Sequence, residues 1–274
     1  MKRYINIDKL EISFNSDDRI KEILEENSEL CFSSFYLLKQ NSINGNYKNY
    51  FEIYLLDNTL FGSLYFGSYN INRQNIYVSV NNRMLYTNNL SILYNIGEEL
   101  NLEINSISKL DLALDFTTNI VSKFYNLLKN RDLNFIILNK KYMINEEVKN
   151  LFTISNGTRT NIHKNKSFYI QNREKGLTLC GYNKIKEILD NNSEKEYIKE
   201  LISSNKIFRL EVRTNHSLLL DSLKKIGFTD VYLFQILINR DNIELFVLYN
   251  HLLNRLIRIE YNNKIYSLLD FISK

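Results

Sequence analysis

Three short segments of this chain carry side chains whose types and spacing could do chemistry. The first runs Lys109-Leu110-Asp111-Leu112-Ala113-Leu114-Asp115-Phe116. At a strand period of two, Leu110, Leu112, Leu114 and Phe116 share one face, and Lys109, Asp111, Ala113 and Asp115 share the other. Two carboxylates on one strand face are costly to bury unless water, a cation or a basic partner neutralises them. An ordinary solvent-exposed sheet face would satisfy the same pattern. The second segment, Phe208-Arg209-Leu210-Glu211-Val212-Arg213, sends Leu210 and Val212 one way and Arg209, Glu211 and Arg213 the other. That alternation suits an ion-pair ladder with a neighbouring strand. It suits equally a metal carboxylate flanked by phosphate-binding arginines, and spacing does not choose between them. The third segment spans Ser167 to Glu187 and contains Tyr182-Asn183-Lys184. In an extended chain Tyr182 and Lys184 project from one face. An ammonium beside a phenol favours phenolate and can hold a phosphate oxygen, so Tyr182 is a candidate nucleophile. With 19 tyrosines in the chain, residue type alone would make it a packing residue.

The elements that must position these segments follow from periodicity. Tyr4 to Phe14, Tyr50 to Leu56, Leu60 to Phe66 and Ile76 to Val80 read as strands, and Asp17 to Asn27 and Asn89 to Leu100 as helices. Lys109 to Phe116 is a strand, followed by a helix near Val121 to Lys129. Ser167 to Asn172 and Leu177 to Tyr182 are predicted as paired strands around a turn at Arg173 to Gly176. Lys184 to Leu201 is predicted to be helical with a break near Asn191, and Phe208 to Arg213 to be a strand. From Ser217 to Lys274 helical periodicity dominates, around Leu218 to Ile226, Val231 to Ile238 and Ile243 to Ile257. The expected fold is α+β, a mostly antiparallel sheet built from two related strand–strand–helix–strand halves with a helical C-terminal part. The predicted organisation is a catalytic unit over 1–215 and a helical part over 216–274 packed on it.

Composition excludes several classes. A chain of 274 residues with 44% hydrophobic and 24% charged residues is that of a folded globular protein. No apolar run is long enough to span a membrane, and the N-terminus turns polar too early for a signal peptide, so a cytoplasmic location is expected. Two cysteines and three scattered histidines give neither a disulfide framework nor zinc spacing. Any bound metal would therefore rest on carboxylates, which points to a hard ion such as Mg2+ or Mn2+. Net charge is only +4, but from Arg159 to Lys186 seven Lys and Arg stand against one Glu, a density able to meet a phosphate backbone or simply to line a solvated loop. The absence of proline leaves Asn to serve at turns.

In order along the chain, Lys109 to Phe116, then Tyr169 with Arg173-Glu174, Tyr182-Asn183-Lys184 and Glu187, then Arg209-Leu210-Glu211, resemble the signature of the replication initiation factor family, the initiators of rolling-circle plasmids and related mobile elements. The resemblance covers roughly residues 105 to 215. Each motif alone is weak, and three in order are fairly specific. The sequence departs from the family pattern at Lys109, Lys175, Cys180 and Gly181, where arginine, serine, arginine and an apolar residue are usual.

The resemblance implies DNA nicking and religation by metal-assisted transesterification through a 5′-phosphotyrosine. Tyr182 would be the nucleophile and Lys184 the cation facing the phosphate. Asp111 and Glu211 would be metal ligands, with Asp115 a weaker third, since about 13 Å of strand separates it from Asp111. Arg173, Lys175, Lys186, Arg209 and Arg213 would contact DNA. The implied partners are an origin hairpin or single-stranded segment, a host helicase and a second copy in a homodimer. A relaxase of a mobilisable or conjugative element shares the chemistry. Retention of the Tyr, Asp and Glu together argues against a non-catalytic DNA-binding regulator derived from an initiator, and a structural or interaction protein of a mobile element would explain only the basic stretch.

Overall fold

The computed structural model describes residues 3–41, 47–70, 75–86, 90–137, 139–143, 167–172, 176–190, 195, 197–202 and 204–273. In chain order the strands are β1 (Arg3–Asn15), β2 (Glu29–Cys31), β3 (Phe35–Lys39), β4 (Tyr47–Leu55), β5 (Leu60–Ser68), β6 (Ile76–Val80), β7 (Glu103–Phe116), β8 (Asn134–Ile137), β9 (Lys140–Met143), β10 (Ser167–Asn172), β11 (Leu177–Asn183), β12 (Phe208–Asn215), β13 (Ile257–Tyr261) and β14 (Lys264–Ser267). The helices are α1 (Asp18–Glu26), α2 (Ile92–Glu99), α3 (Ile120–Leu127), α4 (Lys184–Asp190), α5 (Tyr197–Ile202), α6 (His216–Ile226), α7 (Asp230–Asn239), α8 (Asn242–Leu256) and α9 (Leu268–Ile272). The fold is α+β, and the strand ladders with a defined register are antiparallel.

The chain forms two compact units, Met1–Asn6 with Asp111–Gly227 and Asp241–Lys274, and Ile7–Leu110 with Phe228–Arg240. These cut the chain differently from the expected division at 215, because β1 and β7 each pass from one unit to the other.

In the second unit the sheet order is β7-β1-β6-β5-β4-β3-β2. Alternation is regular: Phe35, Leu37, Phe51, Ile53, Leu64, Phe66 and Val78 are buried, while the residues between them are largely half-buried. The turn between β4 and β5 closes on Asn58 at φ 65°, one of several asparagines taking the left-handed conformation that glycine usually supplies.

In the first unit the main sheet runs β10-β11-β12-β7-β1, and a smaller one runs β14-β13-β8-β9. Leu179, Leu210, Val212, Leu112, Leu114 and Phe116 are buried. Helix α3 lays Phe124 against Phe168 of β10, ring centroids 4.0 Å apart, and fully buried Tyr249 of α8 donates its hydroxyl to the Leu210 carbonyl at 2.9 Å. Asn119, Asn215 and Asp241 cap α3, α6 and α8 with side-chain oxygens. The C-terminal third is not wholly helical: β13 and β14 form a hairpin closed by Asn262 and Asn263, with φ of 49° and 61°. Two successive positive φ values are what a two-residue hairpin turn requires. The helix expected over Ile243 to Ile257 is α8, and what the expectation of a helical C-terminal part missed is the hairpin that follows it.

A candidate active site on one sheet face

Strands β11 and β12 pair with Tyr182 opposite Arg209, Cys180 opposite Glu211 and Thr178 opposite Arg213. Directly opposed residues share a face, so these six form a polar block. β7 extends it, because Asp115 accepts two hydrogen bonds from Arg209, from Nε at 2.8 Å and from the terminal amine at 2.7 Å. Alternation then puts Asp111 and Ala113 on the same face.

The centre of the block is a short chain of contacts. Tyr182 Oη donates to Glu211 Oε2 at 2.7 Å, and Arg213 Nε donates to Glu211 Oε1 at 2.6 Å. Tyr182 is 9% exposed and Glu211 1%, whereas half of the Arg213 side chain meets solvent. Exposure therefore rises along β12 from Arg209 (0%) through Glu211 to Arg213, and the block opens at its Arg213 end. Half-buried Asp111 belongs to that open end, since its charge acts on both Arg213 and Cys180. Burial pulls the Arg213 guanidinium down, but Glu211, Cys180 and Asp111 outweigh it and hold Arg213 firmly protonated. Burial also pushes the Cys180 thiol up to about 12, with Glu211 and Asp111 adding to the rise against Arg213. Tyr169, opposite Cys180 on β10, is raised chiefly by burial.

Several expected roles change. Arg209 is fully buried in a two-pronged pair with Asp115 and does not face DNA. Asp115 is equally buried, and besides Arg209 it accepts from Asn6 at 3.0 Å, so both its oxygens are taken and it is a counter-ion rather than an open ligand. Lys184 does not continue the strand alternation, because β11 ends at Asn183 and Lys184 opens α4. Its ammonium is buried 2.8 Å from Glu187 Oε2 and 5.7 Å from the centre of the Tyr182 ring. Its side chain is therefore not solvent-facing. Lys186 is exposed on α4, and Arg173 and Lys175 lie outside the described residues. Gly181 has a packing reason: a Cβ there would lie 2.1 Å from the Phe168 ring opposite it on β10.

Asp111 and Glu211 are hard oxygen donors on one face, the chemistry Mg2+ or Mn2+ selects while keeping water and phosphate oxygens as its other ligands. No cluster of three or more His, Cys, Asp or Glu able to hold a metal occurs among the described residues. Tyr182 and Arg213 occupy the two Glu211 oxygens, and a metal would compete with them.

No protein-family model matches the chain, and no curated protein matches it. Among solved structures it is similar to the rolling circle replication initiator protein from Geobacillus stearothermophilus, at 13% identity and a TM-score of 0.49 over 99% of this chain and 96% of that one. No helix among the described residues is long and apolar enough to cross a membrane.

Proposed function

We propose that the chain is a DNA-nicking and rejoining enzyme of the replication-initiator type, with Tyr182 as its nucleophile. The observation that carries this reading is the 2.7 Å hydrogen bond from Tyr182 Oη to Glu211, at the centre of a charged block that opens to solvent at Arg213. A phenol already donating to a carboxylate is placed to lose its proton as it attacks. The Oη–phosphorus bond forms as the bond from phosphorus to the 3′ oxygen breaks, that oxygen takes a proton, and the product is a 5′-phosphotyrosine with a free 3′-hydroxyl. Because the phosphoester bond is exchanged rather than hydrolysed, the reverse step reseals the strand.

Arg213 offers the exposed guanidinium for a phosphate oxygen, in the planar geometry that Arg matches best. Lys184 sets its ammonium 5.7 Å from the centre of the Tyr182 ring, within reach of a cation–π contact that holds the ring in place. When bound by Asp111 and Glu211, a divalent ion would neutralise charge developing on the phosphate. The ordered resemblance of the three motifs to initiators adds support independent of the geometry.

The test is incubation with Mn2+ and circular DNA carrying the sequence that surrounds the coding region, followed by mass spectrometry of the Tyr182 peptide. A nucleotide adduct on Tyr182, absent from Tyr182→Phe, is expected; a Tyr182→Phe chain that still nicks overturns the assignment. One observation favours a second reading, a DNA-binding regulator without catalysis: Tyr182 and Glu211 are nearly closed off from solvent. Equal DNA affinity of both chains with no nicking by either would establish it.

A further inference from the structure

The polar face of the second unit's sheet is paved with tyrosine. Register places Tyr77, Tyr65 and Tyr50 directly opposite one another across β6, β5 and β4, and Tyr36 opposite Tyr54 across β3 and β4. Their rings stack: Tyr77 on Tyr65 at 5.7 Å and 12°, Tyr65 on Tyr50 at 6.4 Å and 12°, and Tyr36 on Tyr54 at 5.2 Å and 13°. Tyr47 leans on Tyr65 at 4.6 Å. All but Tyr77 are only half-buried, although the opposite face of the same strands is closed.

Their hydroxyls are not waiting for a ligand. Tyr54 donates to Glu52, Tyr36 to Asn58 and Tyr65 to Glu11. What these side chains offer is ring surface, held rigidly by the pleat and by those bonds. Cross-strand aromatic pairs stabilise sheets, and the rings that do so here also keep part of their surface open to solvent. The face carries Lys9, Lys48 and Lys109 beside Glu11, Glu29 and Glu52: Glu11 is paired with Lys109 at 2.7 Å, Glu52 accepts from Tyr54 and Gln40, and Lys48 on β4 and Lys9 on β1 are exposed.

We propose that this face is a stacking platform for single-stranded DNA, with bases on the tyrosine rows and phosphates on Lys9 and Lys48. Rings that stack on any base, combined with flanking cations, are the recognition chemistry of unpaired strands and give little sequence preference. The proposal rests on the reading that the chain's substrate is DNA, and it names where the unpaired strand lies.

The probe is a labelled oligothymidylate of about 16 nucleotides, titrated into the full chain in EDTA and followed by fluorescence anisotropy. Without divalent ion the measurement does not depend on nicking. Tyr50→Ala and Tyr54→Ala are each expected to weaken binding by about 5- to 150-fold, the range that loss of one base–aromatic stack gives. Tyr54→Phe keeps the ring and should bind as wild type. Lys9→Ala with Lys48→Ala should lower the slope of log affinity against log salt by about 1.4, two single-strand phosphate contacts. A duplex of the same length should not respond to the tyrosine changes. As a check that needs no variant, photocrosslinking of an iodouracil oligonucleotide to the wild-type chain should modify peptides holding Tyr36, Tyr50 or Tyr54. Crosslinks confined to other peptides, wild-type affinity in both alanine variants, or no oligonucleotide binding at all would overturn the platform. Loss of binding in the alanine variants would sustain it even where no Tyr182 adduct ever forms, so the two readings fail separately.

Discussion

Replacing Asp115 by Asn tests whether the most deeply buried carboxylate of the block is structural or metal-binding. Asp115 and Arg209 are both 0% exposed and joined by two hydrogen bonds of 2.8 and 2.7 Å. In Asp115→Asn the guanidinium stays buried without a counter-charge. Removing one partner of a buried pair costs about 3–5 kcal/mol, more than the pair itself contributes, because the surviving charge has no water to return to. With a urea dependence of about 3 kcal/mol per molar, the unfolding midpoint of the unit should fall by about 1–1.7 M. Asp115→Leu combined with Arg209→Met, which removes both charges, should recover most of that loss, since apolar replacements of buried pairs are often neutral or stabilising. The assay is urea unfolding followed by circular dichroism, with Mn2+ titration calorimetry on the same proteins. A counter-ion role predicts a large midpoint shift and Mn2+ affinity unchanged in the folded variant. A midpoint within about 0.2 M of wild type, together with lost Mn2+ binding, would refute the reasoning and restore Asp115 as a ligand.

Two further outcomes follow from local environments. The Cys180 thiol is pushed up to about 12 by burial, from 9.0 for a free thiol. It stays protonated in the folded chain while the unfolded chain ionises, so its contribution is intact below pH 9 and lost between pH 9 and about 12. Cys180→Ala should flatten the fall in stability over that window, and iodoacetamide at pH 8 should label exposed Cys31 but not Cys180 in the native protein, read by peptide mass. In the β13–β14 turn, Asn263 holds φ at 61°, so Asn263→Gly should be neutral to stabilising and Asn263→Val should cost about 1–2 kcal/mol in thermal unfolding.

Period-two alternation in the sequence was enough to find β7, β10, β11 and β12 and to say which of their side chains share a face, because a strand fixes that parity whatever surrounds it. It could not say how deep each position on the face lies. Arg209, Glu211 and Arg213 repeat regularly in the sequence, yet their exposure runs from 0% to 1% to half-open. Depth is set by what packs above the strand, and α4, which touches both β11 and β12, is no part of the alternation of β12 itself. Lys184 was misplaced for a related reason. Parity fails at the first helical residue, and Asn183 carries no signal as strong as a proline would be. The hairpin at Asn262-Asn263 was legible in principle, since paired asparagines can take the glycine positions of a tight turn, but its strands of five and four residues are too short for a strong alternation.

The tyrosine rows and the candidate site show why sequence finds some surfaces and misses others. The site could be found because its residues fall in three short motifs, so their order along the chain was itself information. The rows on β3 to β6 are assembled by register, one or two tyrosines to each strand, and in a chain with 19 tyrosines no single one stands out. Only pairing turns Tyr50, Tyr65 and Tyr77, far apart in sequence, into one stack. A strand's own pattern states which face a side chain takes. Its partners state what that face can bind, and the same rule made Asp115 a counter-ion of Arg209 when its own strand offered it as a ligand.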